Sequence, residues 1–245
     1  MIEISIVIPA RNEAANIAAL LEGIDAACAG LPRHEVLVVD DGSHDGTAEV
    51  VRARMATVPH LRLLRHEVSG GQSAAVHSGV LAARGGLICT LDGDGQNPPE
   101  ELPRLLAPLL VPRSGGLGLV AGQRVARQDT LSKRLASRFA NRLRARILRD
   151  GTRDTGCGLK AFRREAFLQL PYFDHMHRYL PALFTRDGWQ IAHVDVSHRP
   201  RGGGRSNYNN LQRGLVGAAD LLGVAWLLRR RKKVLPSEVH PGKES

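Results

Sequence analysis

Leu87-Ile88-Cys89-Thr90-Leu91-Asp92-Gly93-Asp94-Gly95-Gln96 is the stretch on which the reading of the fold depends. Its first five residues form an apolar run that reads as a buried strand. Gly93 and Gly95 read as the turn that leaves it. Two carboxylates one residue apart at a strand end are costly to bury as bare charges. A divalent cation removes that cost. Mg²⁺ or Mn²⁺ takes hard oxygen ligands and favours one or two carboxylates together with substrate phosphates. The turn therefore points to a cation–diphosphate complex and to chemistry on an activated sugar or nucleotide. A polar turn with two solvated Asp residues is the plain alternative.

Working outward, apolar runs of the same kind recur at Ile4–Ile8, Val36–Val39, Leu61–Leu64 and Leu117–Ala121, and a further strand is expected at Gln190–Val196. Helix-like segments lie between them, near Ala14–Ala29, Gly46–Met55, Gln72–Arg84 and Pro99–Leu110. Alternating strands and helices predict an α/β fold, a mostly parallel central sheet with helices on both faces. Ligands of such sheets bind outside the carboxyl ends of the strands. Three polar turns fall at such ends. Pro9-Ala10-Arg11-Asn12-Glu13 follows strand one, where a dinucleotide-binding fold would carry Gly-x-Gly-x-x-Gly, a pattern absent here. Asp40-Asp41-Gly42-Ser43-His44-Asp45-Gly46-Thr47 follows strand two. In it Gly42 suits a tight turn and Asp45 is a candidate helix cap. The Asp92/Asp94/Gln96 turn is the third. Each is weak alone, and their coincidence at one sheet edge is the informative feature. Ser69-Gly70-Gly71-Gln72-Ser73 leads into a helix whose N-terminus suits phosphate, although a plain loop explains it equally well.

The 245 residues suffice for one large domain with a short appendage. The N-terminus, Met1-Ile2-Glu3-Ile4, lacks the basic start of a signal peptide. No stretch reaches the roughly 18 uninterrupted apolar residues of a membrane span. Cys28, Cys89 and Cys157 are widely spaced, fit no zinc pattern and suggest a reducing compartment. The net charge of +10 is unevenly spread: residues 1–100 carry −6 and the remainder +16. A basic second half calls for nucleic acid, acidic lipid or a phosphorylated substrate, with a solvated basic surface as the alternative. Basic charge allows nucleic acid as a third reading, but few aromatics are available for base stacking and no recognition motif is present, so no nucleic-acid partner is expected.

In that half, Leu131, Leu135, Phe139, Leu143 and Ile147 run beside Arg134, Arg138, Arg142 and Arg146. On a helix these make adjacent apolar and basic stripes, suited either to an anionic membrane surface or to ordinary packing with a solvated Arg face. Asp154-Thr155-Gly156-Cys157-Gly158 is a small-residue turn entering a short strand, with Asp154 a candidate catalytic carboxylate or a turn former. The run from His198 to Tyr208 carries Arg199, Arg201 and Arg205 and is suited to close over a diphosphate. Leu211–Leu228 is apolar and precedes Arg229-Arg230-Arg231-Lys232-Lys233. Its apolar part from Gly214, roughly 22 Å as a helix, is too short to span a bilayer and fits an interfacial helix with a polybasic anchor, with a core helix carrying a charged tail as the alternative. The organisation expected is a domain at 1–208, an interfacial helix at 209–233 and a disordered tail at 234–245.

Taken together these residues resemble the family 2 glycosyltransferases of GT-A fold, and within them the polyprenyl-phosphate glycosyltransferases similar to dolichol-phosphate mannose synthase. The resemblance covers about residues 2–233. It is carried by IVIPARNE from Ile6 to Glu13, VDDGS from Val39 to Ser43, DGT from Asp45 to Thr47 and LDGDGQ from Leu91 to Gln96. GQR from Gly122 to Arg124, DTGCG from Asp154 to Gly158 and RGGGRSNY from Arg201 to Tyr208 complete it. It implies that Pro9, Arg11, Glu13, Asp40 and Asp41 surround the nucleotide, joined by Asp92. Asp92, Asp94 and Gln96 would hold Mg²⁺ or Mn²⁺ and the diphosphate. Arg124 and Arg201 would serve the transfer, with Lys133, Arg134 and Arg205 on the acceptor phosphate. The last motif often reads Gly-x-Ser-Lys-Tyr in this subgroup, and here Asn207 stands in place of the lysine, with Arg205 a substitute cation. Many such enzymes carry C-terminal transmembrane helices. Here the expectation is peripheral attachment to the cytoplasmic face of the membrane, directly or through a membrane-protein partner.

The expected reaction is inverting transfer of one sugar from a nucleotide diphosphate sugar, UDP favoured over GDP, to polyprenyl phosphate. A phosphate acceptor is already a nucleophile, whereas a hydroxyl needs a general base. Asp154 therefore separates this reading from a family 2 enzyme acting on a hydroxyl. A non-catalytic, membrane-docking nucleotide-sugar binder is the rival from another class, and the intact Asp92/Asp94/Gln96 set stands against it.

Overall fold

The computed structural model describes residues 1–111, 116–125, 144–199, 210–230 and 234. Among them, β1 (Ile4–Ala10), β2 (His34–Asp41), β3 (Leu61–His66), β4 (Leu87–Thr90), β5 (Leu117–Arg124), β6 (Lys160–Arg163) and β7 (Gln190–Val196) form one sheet in the order β3-β2-β1-β4-β6-β5-β7. Four of the six neighbouring pairs are parallel, and β6 runs antiparallel between β4 and β5. Helices among the described residues include α1 (Ala14–Cys28), α2 (Thr47–Met55), α3 (Gln72–Ala82), α4 (Leu102–Leu110), α5 (Arg164–Leu168), α6 (Leu180–Arg186) and α7 (Asn210–Arg229).

Side chains alternate between sheet faces with period two, so β1 feeds two cores. Ile4, Ile6 and Ile8 join Ile17, Leu21 and Ile24 of α1 and Leu102, Leu105 and Leu106 of α4. Val7 faces the other way, with Val76 and Val80 of α3, Phe162 of β6, Phe167 of α5 and Phe184 of α6. Val224 of α7 is 1 % exposed in this second layer. Helices thus cover both faces, as the alternation of segments predicts.

Three local outcomes differ from the sequence expectations. The segment expected as one helix from Pro99 divides into a 3₁₀ turn, Pro99–Glu101, and α4, which takes Pro103 into its first turn, where the missing N–H is harmless. Asp40 and Asp41 stand on β2 rather than in the turn after it. They lie opposite Arg65 and His66 of β3, so cross-strand charge extends the pairing past the apolar run. Asp45 is one position before the cap of α2, whose cap is Gly46 in the left-handed region. Its Oδ1 still accepts the Thr47 amide at 3.1 Å, and its Oδ2 accepts the Ala14 amide at 3.0 Å, so one carboxylate serves the starts of α1 and α2.

The register brings the chemistry to one edge. Ala10 pairs with Asp40, Val7 with Thr90, and Thr90 with Lys160 of the antiparallel strand. The beginning of β6, with the loop that precedes it, therefore meets the carboxyl ends of β1, β2 and β4.

Candidate active site

The acidic turn is tied down before anything binds. The Gly93 amide donates to Pro9 O at 3.3 Å, joining the turn to the end of β1. Asp92 Oδ1 accepts from Gln72 Nε2 at 2.6 Å, and its Oδ2 accepts from Asn97 Nδ2 at 3.2 Å. Asp94 Oδ1 accepts the Gln96 amide at 3.1 Å. Burial first, then the charge of Asp94, push the Asp92 carboxyl up to about 6, against the pull of Lys160, Asn97 and Arg124. A buried carboxyl pushed upward beside a second carboxylate is a set that a dication completes. No cluster of three or more His, Cys, Asp or Glu side chains suited to a metal occurs among the described residues. Asp92 and Asp94 fit Mg²⁺ or Mn²⁺ as a partial shell that substrate phosphates would fill.

The nucleotide candidates occupy the neighbouring strand ends. Glu13 opens α1, 8 % exposed, with Oε2 accepting from Asn16 Nδ2 at 2.7 Å and its amide donating to Thr47 Oγ1 at 2.9 Å. Arg11 is exposed beside it. Asp40 is fully buried. Its Oδ1 accepts the Ser43 amide at 3.0 Å, and its Oδ2 lies 3.4 Å from Arg65 Nε without hydrogen-bond geometry. Asp41 is a fastener for the loop before α3. Its Oδ1 accepts from His66 Nδ1 at 2.7 Å and Gly70 N at 2.8 Å, and its Oδ2 from Ser69 Oγ at 2.6 Å and Gly71 N at 2.9 Å. Burial alone would raise its pKa. Donation from Ser69, His66, Gly70 and Gly71 outweighs burial and holds the carboxyl below the usual range. Gly42 makes this possible, with φ +68° and its Cα so near the Ser69 backbone that a Cβ would stand 2.8 Å from that amide nitrogen.

On the other side of the acidic turn, Arg124 and Asp154 are brought together. Arg124 Nε and Nη2 donate to Asp154 Oδ2 and Oδ1 at 2.5 and 2.8 Å, and the Gly156 amide adds a bond to Oδ1 at 3.1 Å. The two side chains are 16 % and 15 % exposed. The Asp154 partner raises the already high Arg124 pKa further, so the guanidinium is a permanent charge. Gly158 presses on the acidic turn: a Cβ there would stand 2.5 Å from Asp92 Oδ1 and nearer still to Cγ and Oδ2.

Four residues of this region were not singled out for a role in the sequence. Gln72 and Asn97 hold Asp92. Lys160, 4 % exposed, donates from Nζ to Cys157 O and lies in the field of Asp92, Asp154 and Arg124. His177 contacts Ser73 at the start of α3. The one signal available for Lys160 was a lone cation inside the apolar run Leu159–Phe162. Lys133, Arg134, Arg201, Arg205 and Asn207 lie outside the described residues, as do most of the 131–147 stripe and the 235–245 tail. The chain leading to residue 200 is anchored at the acidic turn: the Arg199 amide donates to Gln96 O at 2.9 Å, and Ser197 N and Oγ donate to Glu101 Oε1 at 2.9 and 2.8 Å.

A mostly parallel sheet with an Asp-x-Asp turn at its carboxyl edge and helices on both faces defines a glycosyltransferase of GT-A fold. The fold is shared with glucosyl-3-phosphoglycerate synthase from Mycobacterium tuberculosis, solved in complex with Mn²⁺, UDP and glucosyl-3-phosphoglycerate. The TM-score is 0.69 and the identity 22 %, over 92 % of this chain and 79 % of that one. The profile described as Glycosyl transferase family 2 matches residues 5–170, and the chain belongs to that family. It is 35 % identical over 208 residues to undecaprenyl-phosphate 4-deoxy-4-formamido-L-arabinose transferase of Aeromonas hydrophila subsp. hydrophila, covering 84 % of this chain and 62 % of the relative. It is 34 % identical over 239 residues to dodecaprenyl-phosphate galacturonate synthase of Rhizobium johnstonii, covering 95 % of this chain and 69 % of the relative. The chain thus spans less than two thirds of the arabinose transferase it matches.

Proposed function

We propose that this protein transfers one sugar, with inversion, from a nucleotide diphosphate sugar to a polyprenyl phosphate at a membrane surface. The observation that carries the reading is the division of charge at the sheet edge. Asp92 and Asp94 offer carboxylates to a cation and diphosphate, while Arg124 and Lys160 stand as cations beside them. The Arg124–Asp154 pair favours a phosphate acceptor over a hydroxyl. Asp154 already accepts from Arg124 through both oxygens and from the Gly156 amide. It is poorly placed to take a substrate proton at the same time. A phosphate monoester, with a second pKa of about 6, needs no base at neutral pH.

In this mechanism an acceptor phosphate oxygen forms a bond to the anomeric carbon from the face opposite the leaving group. The bond from that carbon to the diphosphate oxygen breaks, and its electron pair departs with the nucleoside diphosphate. No proton changes hands. Arg124, held in plane by Asp154, would orient the acceptor phosphate and offset its charge. Pro9, Arg11, Glu13, Asp40 and Asp41 shape the nucleotide side, and Arg201 with Lys133, Arg134 and Arg205 are candidates for the phosphates. Mg²⁺ or Mn²⁺ at Asp92 and Asp94, with Gln96 beside them, would supply charge compensation for the departing diphosphate.

Residues 1–208 are read as the transferase domain and the helix after them as its membrane-facing element. The face of α7 turned away from the core carries Val216, Leu222 and Trp226, exposed at 43, 70 and 59 %, and leads into Arg229 and Arg230. Apolar side chains followed by cations suit an anionic lipid surface. No described helix is long and apolar enough to cross a membrane. The cytoplasmic face, and a membrane-protein partner, remain part of the proposal.

The test is a lipid-extraction assay. Protein is incubated with Mn²⁺ or Mg²⁺, polyprenyl phosphate and a panel of UDP- and GDP-sugars, and the organic phase is read by mass spectrometry. A glycosylated lipid phosphate that disappears with EDTA or with Asp94→Ala supports the reading. Metal-dependent donor hydrolysis without lipid product moves the acceptor to a hydroxyl. Neither product nor hydrolysis favours a non-catalytic binder.

A further inference from the structure

A cavity of about 10 Å³ runs inward from the acidic turn. That volume admits one water or one hydroxyl group. Gln72, exposed, and Asp92, partly exposed, stand at its mouth, and Thr90, Lys160, His177 and Leu180 are among the residues that line it. It is a recess beside a residue of the donor site, with Pro9, Val76 and Leu180 as apolar walls and polar side chains between them.

Its hydrogen-bonding character is set by its neighbours. Thr90 Oγ1 donates to Gly158 O at 2.8 Å. An ammonium carries several N–H donors, and Cys157 O is the acceptor of Lys160 Nζ among the described residues. Ser73 Oγ accepts the His177 amide at 3.2 Å and lies 2.7 Å from His177 Nδ1. A neutral imidazole offers one donor and one acceptor nitrogen. Burial, and then the nearby charge of Lys160, keep that ring neutral well below its usual range. The recess is therefore bordered by the ammonium of Lys160, the neutral imidazole of His177 and the carboxylate of Asp92. A hydroxyl group complements such a set, because it donates once and accepts as well.

We propose that Lys160 and His177 select the transferred sugar: one hydroxyl of the donor's sugar ring enters this recess past Asp92, accepts from Lys160 and pairs with His177. The inference rests on the proposed glycosyl transfer and deepens it, since neither residue was among the cation, nucleotide or acceptor candidates read from the sequence. A sugar lacking that hydroxyl leaves buried donors unpaired and is discriminated against strongly. A sugar with a bulkier substituent at that position does not fit the volume.

The test compares binding of bare and sugar-bearing nucleotides by calorimetry with Mn²⁺. UDP and GDP are measured beside UDP-glucose, UDP-galactose, UDP-galacturonate, UDP-4-deoxy-4-formamido-L-arabinose and GDP-mannose. The proteins are the wild type, Lys160→Met, His177→Phe and His177→Gln, the last restoring a polar partner. The expected result is that the preferred bare nucleotide binds the wild type and both His177 variants within about twofold, while Lys160→Met, which also removes a cation beside Asp92, is read by its ratio of sugar-bearing to bare affinity. The best sugar nucleotide weakens about tenfold or more in Lys160→Met and His177→Phe, and recovers partly in His177→Gln. Equal weakening of bare and sugar-bearing nucleotides would reduce Lys160 and His177 to supports of Asp92 and overturn the inference, and so would unchanged sugar-nucleotide affinity. Should Lys160→Met lose its thermal transition, the two His177 variants decide. Absence of any nucleotide binding to the wild type would sink the glycosyl-transfer reading itself, and this inference with it.

Discussion

Gly158→Ala is a single methyl placed where the structure has least room for it. The new Cβ would stand 2.5 Å from Asp92 Oδ1 and closer to Cγ and Oδ2, far inside normal contact, so something must move. If the carboxylate moves, it leaves Gln72 at 2.6 Å and Asn97 at 3.2 Å. If the start of β6 moves, Gly158 O leaves Thr90 Oγ1 at 2.8 Å, and Lys160 follows. Overpacking a tight site costs about 1–3 kcal/mol, and a hydrogen bond to a charged group about 1.5–3 kcal/mol when lost. Partial exposure of Asp92 lets water replace some of that, so about 2–4 kcal/mol is expected. For a chain of this size that is a Tm lower by about 4–16 °C. A carboxylate displaced by about 1 Å lowers turnover by about a hundredfold. Thermal unfolding and the lipid-product assay read the two effects, with Gly86→Ala as control, because nothing lies within 4 Å of its Cβ position. Wild-type Tm together with wild-type product formation in Gly158→Ala would refute the claim that this contact fixes the acidic turn. A lowered Tm with intact turnover would refute the catalytic half alone.

Arg124→Ala is expected to lower lipid-product formation about 10²–10³-fold, against about tenfold for Asp154→Asn, which keeps a hydrogen-bond acceptor for the guanidinium; equal losses would restore Asp154 as a general base. His177 titrates lower in the folded protein than in the unfolded chain. Between those two values the unfolded state holds the extra proton, so this contribution to stability is complete above about pH 6.5 and is lost as pH falls below it, by up to about 1.4 kcal/mol per pH unit. Denaturant titrations from pH 7 to pH 5 should therefore show a shallower acid loss for His177→Gln than for wild type, and parallel curves would contradict the buried neutral ring. Leu222→Glu with Trp226→Glu should release the protein from anionic vesicles in flotation, by about tenfold or more per residue given burial of about 1.5–3 kcal/mol each, while leaving the Tm within a few degrees. Retention on vesicles would place the membrane contact elsewhere.

Most of the sheet was legible because its strands are apolar runs bounded by turn residues. The expected runs at Ile4, Val36, Leu61, Leu87 and Leu117 all became strands, and Gln190–Val196 did so with the same ends. Periodicity failed where charge took over. Asp40 and Asp41 read as a turn because they are acidic, yet they continue β2 because β3 supplies Arg65 and His66 in register. That partner is set by pairing across the sheet and leaves no trace in the local pattern. The same holds for Asp41. The family resemblance implied a nucleotide contact for it, and only the folded loop from Ser69 to Gly71 reveals how many internal donors it already serves.

The deeper part of the site was hidden for a topological reason. Lys160 lies about seventy residues beyond Asp92 in sequence and reaches it because β6 enters the sheet antiparallel, between β4 and β5. Antiparallel insertion reverses the edge at which a strand's beginning appears. A parallel β6 would carry Lys160 to the far edge and leave the acidic turn with no buried cation behind it. Asp92 shows the consequence. Burial and Asp94 drive its carboxyl upward, and Lys160 and Arg124, both brought by this inverted segment and its neighbour, restrain the shift. The acidic motif therefore names the chemistry, while its charge state depends on a strand direction that no local pattern encodes. That also explains why Gly158 is the sharpest point of attack. It is the hinge at which the inverted strand meets the motif, and the absence of a side chain there lets the two approach closely enough for Lys160 to be felt.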